Sequence, residues 1–147
     1  MGTDLVHVVY ASAAAVEFPD QAVRDLLERA RRTNLALGIT GVLLLVDRSF
    51  FQVLEGAPDA VGPLYEKIGR DSRHRLIVKL IQEPIERRAF QDWSMGLARA
   101  TSTELSVLPG FRDFFKTRSN LDELGEGRAR TLLNAFREGR WRARVGD

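Results

Sequence analysis

Cysteine is absent from this 147-residue chain. That excludes disulfides, thiolate nucleophiles and Cys-ligated zinc, and it fits a reducing compartment. Histidine is nearly absent too. His7 and His74 are the only two, far apart and without ligand-spaced partners, which argues against a metal centre. No run of about 18 apolar residues occurs, so the sequence offers nothing to span a membrane. The opening MGTDLVHVVY lacks a basic stretch followed by a long apolar one, so no secretory signal is expected. Carboxylates are scattered, with no pair that falls in one site. Ser12 and Ser49 lack a nucleophile-elbow context. The GITG stretch, with Gly38 and Gly41, lacks the spacing and the lysine of a phosphate-cradling loop. These absences leave no metal, thiol or nucleophile-elbow constellation in view and fit a cytoplasmic protein.

What is present suffices for one domain with a short appendage. Apolar residues make up 44%, enough for a core, and charged residues 29%, as on an ordinary soluble surface. The net charge of +2 is too small to imply nucleic-acid binding, yet the basic residues are unevenly spread. Residues 127–144, GRARTLLNAFREGRWRAR, hold six arginines against the single acid Glu138. A solvated helix face with a basic tail accounts for this first, and an acidic partner or a phosphate backbone second.

Periodicity divides the chain. LVHVVYAS, 5–12, alternates and reads as a strand. A helix is predicted over 20–34, with Pro19 near its start and Asp20 able to cap, because Val23, Leu26, Leu27 and Ala30 recur at helical spacing. LGITGVLLLV gives a buried strand over about 38–46, then a tight turn at Asp47–Arg48, and SFFQVLEG, 49–56, an antiparallel partner. Asp59 is a plausible cap for a second helix whose apolar face is Val61, Leu64, Tyr65 and Ile68. LIVKLIQEPI, 76–85, is a strand with Pro84 near its end, and FQDWSMGLA, 90–98, a shorter one.

The order βαββαβ plus one strand predicts an α+β, ferredoxin-like sandwich with two helices on one sheet face. Two amphipathic helices are expected after it, separated near Ser119–Asn120. One carries Phe111, Phe114 and Phe115; the other carries Leu121, Leu124, Leu132, Leu133 and Phe136. They are expected to cover the other sheet face. The expected division is 1–99 for the sandwich and 100–147 for a C-terminal helical extension.

Two polar residues stand in apolar settings. Tyr10 lies on the first strand, and a buried phenol needs a partner. Gln52 interrupts Phe50, Phe51, Val53 and Leu54 on the third. These strands can be neighbours in such a topology, so the two side chains can meet on one face. Taken singly, each has an ordinary reading: a wet hydroxyl, an exposed strand amide, and for Asn34 a simple helix-terminal asparagine.

The combination is more specific. RRTNLALGITG, then SFFQVLEG, then IGRDSRH, then RRAFQDWSMG resembles the BLUF family of blue-light sensors using flavin. The likeness runs from Leu5 to about Leu97, in order and at matching spacing. It implies that FAD, or FMN as the second option, slides its ring between the two helices and lies over the sheet. Asn34 would bond the ring edge, Gln52 would lie beside flavin N5 and O4, and Tyr10 would bond Gln52. Leu26, Leu43, Phe50 and Ile68 would be apolar walls. Asp71, Arg73 and His74 would stand where ribityl and phosphate groups exit. Thr33 occupies a position where several relatives carry an Asn or His that touches flavin. Trp93 and Met95 match a mobile pair on the fifth strand.

The resemblance also implies a mechanism. Tyr10 would give an electron and, through Gln52, a proton to the excited ring, and recombination would leave Gln52 rotated or tautomerised. An amide suits this switch because it has both a donor and an acceptor end. With no output domain expected in the chain, signalling would pass to a separate partner protein or through a homo-oligomer. Two other functions compete. A flavin-dependent oxidoreductase would need a second substrate site, for which no residues stand out. An RNA-binding ferredoxin-like module would need exposed sheet aromatics, with Phe50 and Tyr10 the candidates.

Overall fold

A computed structural model of the chain describes residues 4–14, 20–46, 49–70, 74–91, 96–117 and 121–138. Its elements in chain order are β1 (Leu5–Ala14), α1 (Asp20–Leu37), β2 (Thr40–Val46), β3 (Ser49–Gly56), α2 (Pro58–Gly69), β4 (His74–Ile85) and β5 (Gly96–Ala100). The helices α3 (Ser102–Leu105) and α4 (Phe111–Thr117) follow, then a 3-10 turn at Leu121–Glu123 and α5 (Gly125–Arg137). The sheet runs β4-β1-β3-β2-β5. Its first four strands are antiparallel neighbours, whereas β5 lies parallel to β2 at the edge.

Strand alternation sends successive side chains to two different cores. On one face Val8, Tyr10, Leu43, Phe50 and Leu54 pack against Val23 and Leu27 of α1 and Val61 of α2. On the other, Val9, Ala11, Val42, Leu44, Phe51 and Val53 pack against Phe111, Phe114, Leu132, Leu133 and Phe136. The C-terminal helices therefore close the second face, as their apolar spacing predicts. The same alternation removes the premise of RNA recognition. Tyr10 and Phe50 are fully buried, and they point toward α1 and α2 rather than toward an open sheet.

Several boundaries differ from the sequence reading. α1 runs to Leu37, so Asn34 lies within its last turn instead of ending it. The stop comes at Gly38, whose φ of +68° is the left-handed conformation that ends helices at little cost only for glycine. Asp20 is the first helical residue, and Pro19 lies outside the described residues, as does the turn at 47–48. α2 is capped by Ala57 with Pro58 opening the helix; Asp59 is in the first turn, where it meets the positive end of the helix dipole. The fifth strand begins at Gly96, because Phe90 and Gln91 belong to a bend and turn.

The last helix is also shorter than its apolar spacing suggests. Leu121 and Leu124 reach the core from a separate tight turn, which docks on β3 through a bond from the Leu121 amide to the Ser49 hydroxyl (3.1 Å). A short helix, α3, went unread in the sequence although it carries a capping box. The Thr101 side chain accepts from the Glu104 amide, and Glu104 accepts from the Thr101 amide.

β1 and β4 do not pair evenly. Val9 faces Ile81 but Tyr10 faces Lys79, which leaves Leu80 as an extra residue beside Tyr10. A second irregularity lies between Ala11 and Ala13.

An ionic clasp holds α5 to this side of the sheet. Buried His7 sets its Nε2 2.8 Å from Glu83 Oε2. Arg130 of α5 donates to both oxygens of the same carboxylate, at 2.8 and 3.2 Å. Hydrogen bonding from Arg130 first, and from His7, holds the Glu83 carboxyl down to about 2. The unfolded chain has the ordinary value near 4.5, so it takes up protons first on acidification. The clasp therefore stabilises the fold fully above that pH and loses its effect as pH falls toward 2. Both ends are partly exposed, so solvent screening keeps the effect modest. Arg130→Met is expected to lower the Tm at neutral pH and to flatten the acid limb of Tm against pH. An acid limb as steep as that of the unaltered chain would show that Arg130 does not hold the carboxyl down.

Candidate functional site

A cavity of about 590 Å³ opens between α1 and α2, over the middle of β3. Its size is in the range of cofactor sites, about 300–1,000 Å³. Gln52 and Leu54 of β3 form the floor. Leu26, Ala30, Thr33 and Asn34 come from α1, and Leu64 and Ile68 from α2. Helical spacing explains the set, since 26, 30, 33 and 34 share one face of α1, and 64 and 68 one face of α2. The walls are apolar, with uncharged amides at the floor and side. Arg29 and Arg32 of α1 also line the cavity, as do Lys67 and Arg70 at the end of α2.

The register of β1 on β3 sets Tyr10 directly opposite Gln52, and the Tyr10 hydroxyl donates to Gln52 Oε1. Both side chains are buried, as is Asn34. Gln52 thus touches a phenol on one side and the cavity on the other. The Tyr10 ring meets Tyr65 of α2 edge-on, with centroids 5.3 Å apart. Burial raises the Tyr65 phenol above its usual value, so it stays protonated at neutral pH. The Lys79 ammonium stands 5.0 Å from the centre of the Tyr65 ring.

The structure brings together Tyr10, Gln52, Asn34, Thr33, Leu26 and Ile68. Leu43 and Phe50 lie elsewhere: both are buried in the layer around Gln52, Leu43 as its β2 partner, but neither lines the cavity. Asp71, Arg73, Trp93 and Met95 lie outside the described residues, and His74 opens β4. Sequence reasoning missed Leu54 and the four cations, and it singled out Ala30 and Leu64 only as apolar helix-face residues. Arg29 and Lys67 stand three residues beyond Leu26 and Leu64, so helical spacing from the residues already singled out would have found them. Among the described residues no cluster of three or more His, Cys, Asp or Glu side chains could hold a metal ion, and no helix is long and apolar enough to cross a membrane.

The cavity fits a flavin on its own chemistry. A largely apolar cavity between two helices can take a tricyclic ring, Asn34 and Gln52 offer both donors and acceptors to its polar edge, and the cations suit phosphates. Comparison with known proteins agrees. Residues 5–96 match the family model described as BLUF, sensors of blue light using FAD. The chain is 36% identical over 110 residues to photoactivated adenylate cyclase subunit beta of Euglena longa, covering 74% of this chain and 13% of that protein. It is 32% identical over 93 residues to the blue light- and temperature-regulated antirepressor BluF of Escherichia coli strain K12, covering 63% and 23%. These curated relatives are several times longer than the chain. Among solved structures, the ground state of BlsA superposes with a TM-score of 0.80 at 32% identity, over 93% of this chain and 90% of that one.

Proposed function

This chain belongs to the BLUF family, sensors of blue light using FAD, and from that premise we propose that it is a blue-light receptor with no catalysis of its own. The observation that carries the reading is the Tyr10 hydroxyl bonded to Gln52 at the floor of the cavity. When bound, flavin supplies absorption of blue light and an excited state that is a strong oxidant. The protein supplies the rest. Tyr10 is a buried phenol whose proton already points at an acceptor. Gln52 can present either end of its amide to that phenol, and the choice reverses what it presents to the cavity. Exchanging one hydrogen bond for another changes the balance by about 0.5–1.5 kcal/mol each, a gap small enough for dark reversal.

FAD is the proposed occupant in preference to FMN. Among the described residues, Arg29, Arg32, Lys67 and Arg70 put four cations in the lining and no carboxylate joins them. A diphosphate satisfies such a rim better than a monophosphate. Asp71, Arg73 and His74 follow Arg70 in the sequence, and the family likeness assigns them to the ribityl and phosphate end of the flavin. Residues 1–99 hold the flavin, and 100–147 cap the sheet and carry the output, with Trp93 and Met95 in the segment that leads to β5. The signal passes to a separate partner protein, and the chain works as a homo-oligomer in the cytoplasm.

An absorbance spectrum before and after blue illumination tests this. Protein purified with flavin supplied is expected to be yellow and to shift reversibly to the red. A colourless protein would refute the reading. NADH added in the dark is expected to leave the flavin band unbleached, which separates a receptor from an oxidoreductase. FAD is expected to bind more tightly than FMN, with the margin shrinking as salt is raised; equal affinities at low salt would remove the case for the diphosphate.

A further inference from the structure

Glu55 is fully buried on β3, three residues beyond Gln52 on the same strand and on the opposite sheet face. A buried carboxylate needs donors, and this one has three within hydrogen-bond distance. Thr40 Oγ1 of β2 donates to Oε1 (2.8 Å), the Phe90 amide donates to Oε1 (2.9 Å), and the Ala89 amide donates to Oε2 (2.8 Å). Arg88 completes the joint. It donates to Thr40 Oγ1 (2.9 Å), to the Glu55 carbonyl (3.1 Å) and to the Gly38 carbonyl at the end of α1 (2.7 Å). The connection after β4 is thus tied to the ends of the two elements that carry Gln52 and Asn34.

Phe90 shows where the joint leads. Its backbone is held by Glu55, and its buried ring meets the Phe136 ring of α5 edge-on, with centroids 6.4 Å apart. β3, the Glu55 carboxylate, Phe90 and α5 therefore make one continuous contact. We infer that Glu55 is a positioning residue for the light response, fixing Phe90 so that a change at Gln52 on β3 is delivered to α5. The inference rests on the receptor reading above. It asks that the chain respond at α5, not merely absorb light.

The isosteric substitution Glu55→Gln isolates the role. Whichever way the amide lies, its NH2 group must face the amide of Ala89 or of Phe90, and that donor loses its acceptor. In the flavin-loaded full chain, Glu55→Gln is expected to speed dark amide exchange about tenfold at whichever of Ala89 and Phe90 faces the NH2 group. The flavin red shift should remain, while the light-minus-dark difference in exchange across 125–137 falls to the level of noise. A residue needed only for folding would not separate the two readouts. An undiminished α5 difference in Glu55→Gln would overturn the inference, as would an unaltered chain that shifts its spectrum without any change at α5. Absence of the red shift in the unaltered chain would instead overturn the receptor reading. Should Glu55→Gln fail to fold, Thr40→Val removes only the hydroxyl between Arg88 and Glu55, and the same pair of readouts decides.

Discussion

Replacing Tyr10 by Phe is expected to leave flavin bound and to abolish the light-induced red shift. The substitution keeps the ring that packs edge-on against Tyr65 and removes one hydroxyl. Nothing in the cavity lining is lost, because Tyr10 acts from behind Gln52. The cost to stability is that of a buried acceptor short of one donor, about 1–3 kcal/mol. The cost to the photocycle is total, because no phenolic proton or electron remains beside the amide. Gln52→Leu should give the same spectrum by the opposite route, keeping the phenol and deleting the group that changes partners. Difference spectra under blue light, with flavin content measured alongside, check both. A red shift of full size in Tyr10→Phe would remove the phenol from the mechanism.

Gly41→Ala is expected to be the most damaging single methyl in the sheet. A Cβ at this position would overlap the Val53 carbonyl oxygen, which is backbone and cannot swing aside. Both strands at that point are buried. The sheet would have to part between β2 and β3, one residue from Gln52, at a cost of at least about 3 kcal/mol. The midpoint of chemical denaturation and the flavin stoichiometry should fall together. A midpoint within experimental error of the unaltered chain would mean that the strands do not approach this closely.

The second glycine of GITG is thus a packing residue. Its sequence context excluded a phosphate loop but gave no hint of the close approach, which depends on the register of β3. That is the general pattern here. The element order, the two-sided sheet and the meeting of Tyr10 with Gln52 were legible, because alternation and strand order fix them. The α1 surface of the cavity was half legible: its sequence singles out Leu26, Thr33 and Asn34, but no feature of Arg29 itself marks it as a lining residue. Glu55 was in plain view in the LEG triplet and was not read. Its partners lie 15 and about 35 positions away, and no local pattern announces a backbone amide as a partner. The fifth strand starts later than residue 90, because the Ala89 and Phe90 amides are turned toward Glu55 instead of a ladder.

The extra residue in β4 has an electronic consequence. Ile81 lies in the core beneath the C-terminal helices, yet Ile77 packs in the opposite one, so the strand's alternation is reset at Leu80. Lys79 is thereby delivered to the aromatic pair and stands over Tyr65. A positive charge at a ring face is attracted to its π electrons and makes one of them harder to remove. Of two touching tyrosines, the one at the helix has its ionisation energy raised, and the one bonded to the glutamine is left as the easier to oxidise. Under the proposed mechanism, a single insertion on a neighbouring strand thus helps select Tyr10 over Tyr65 as the electron donor.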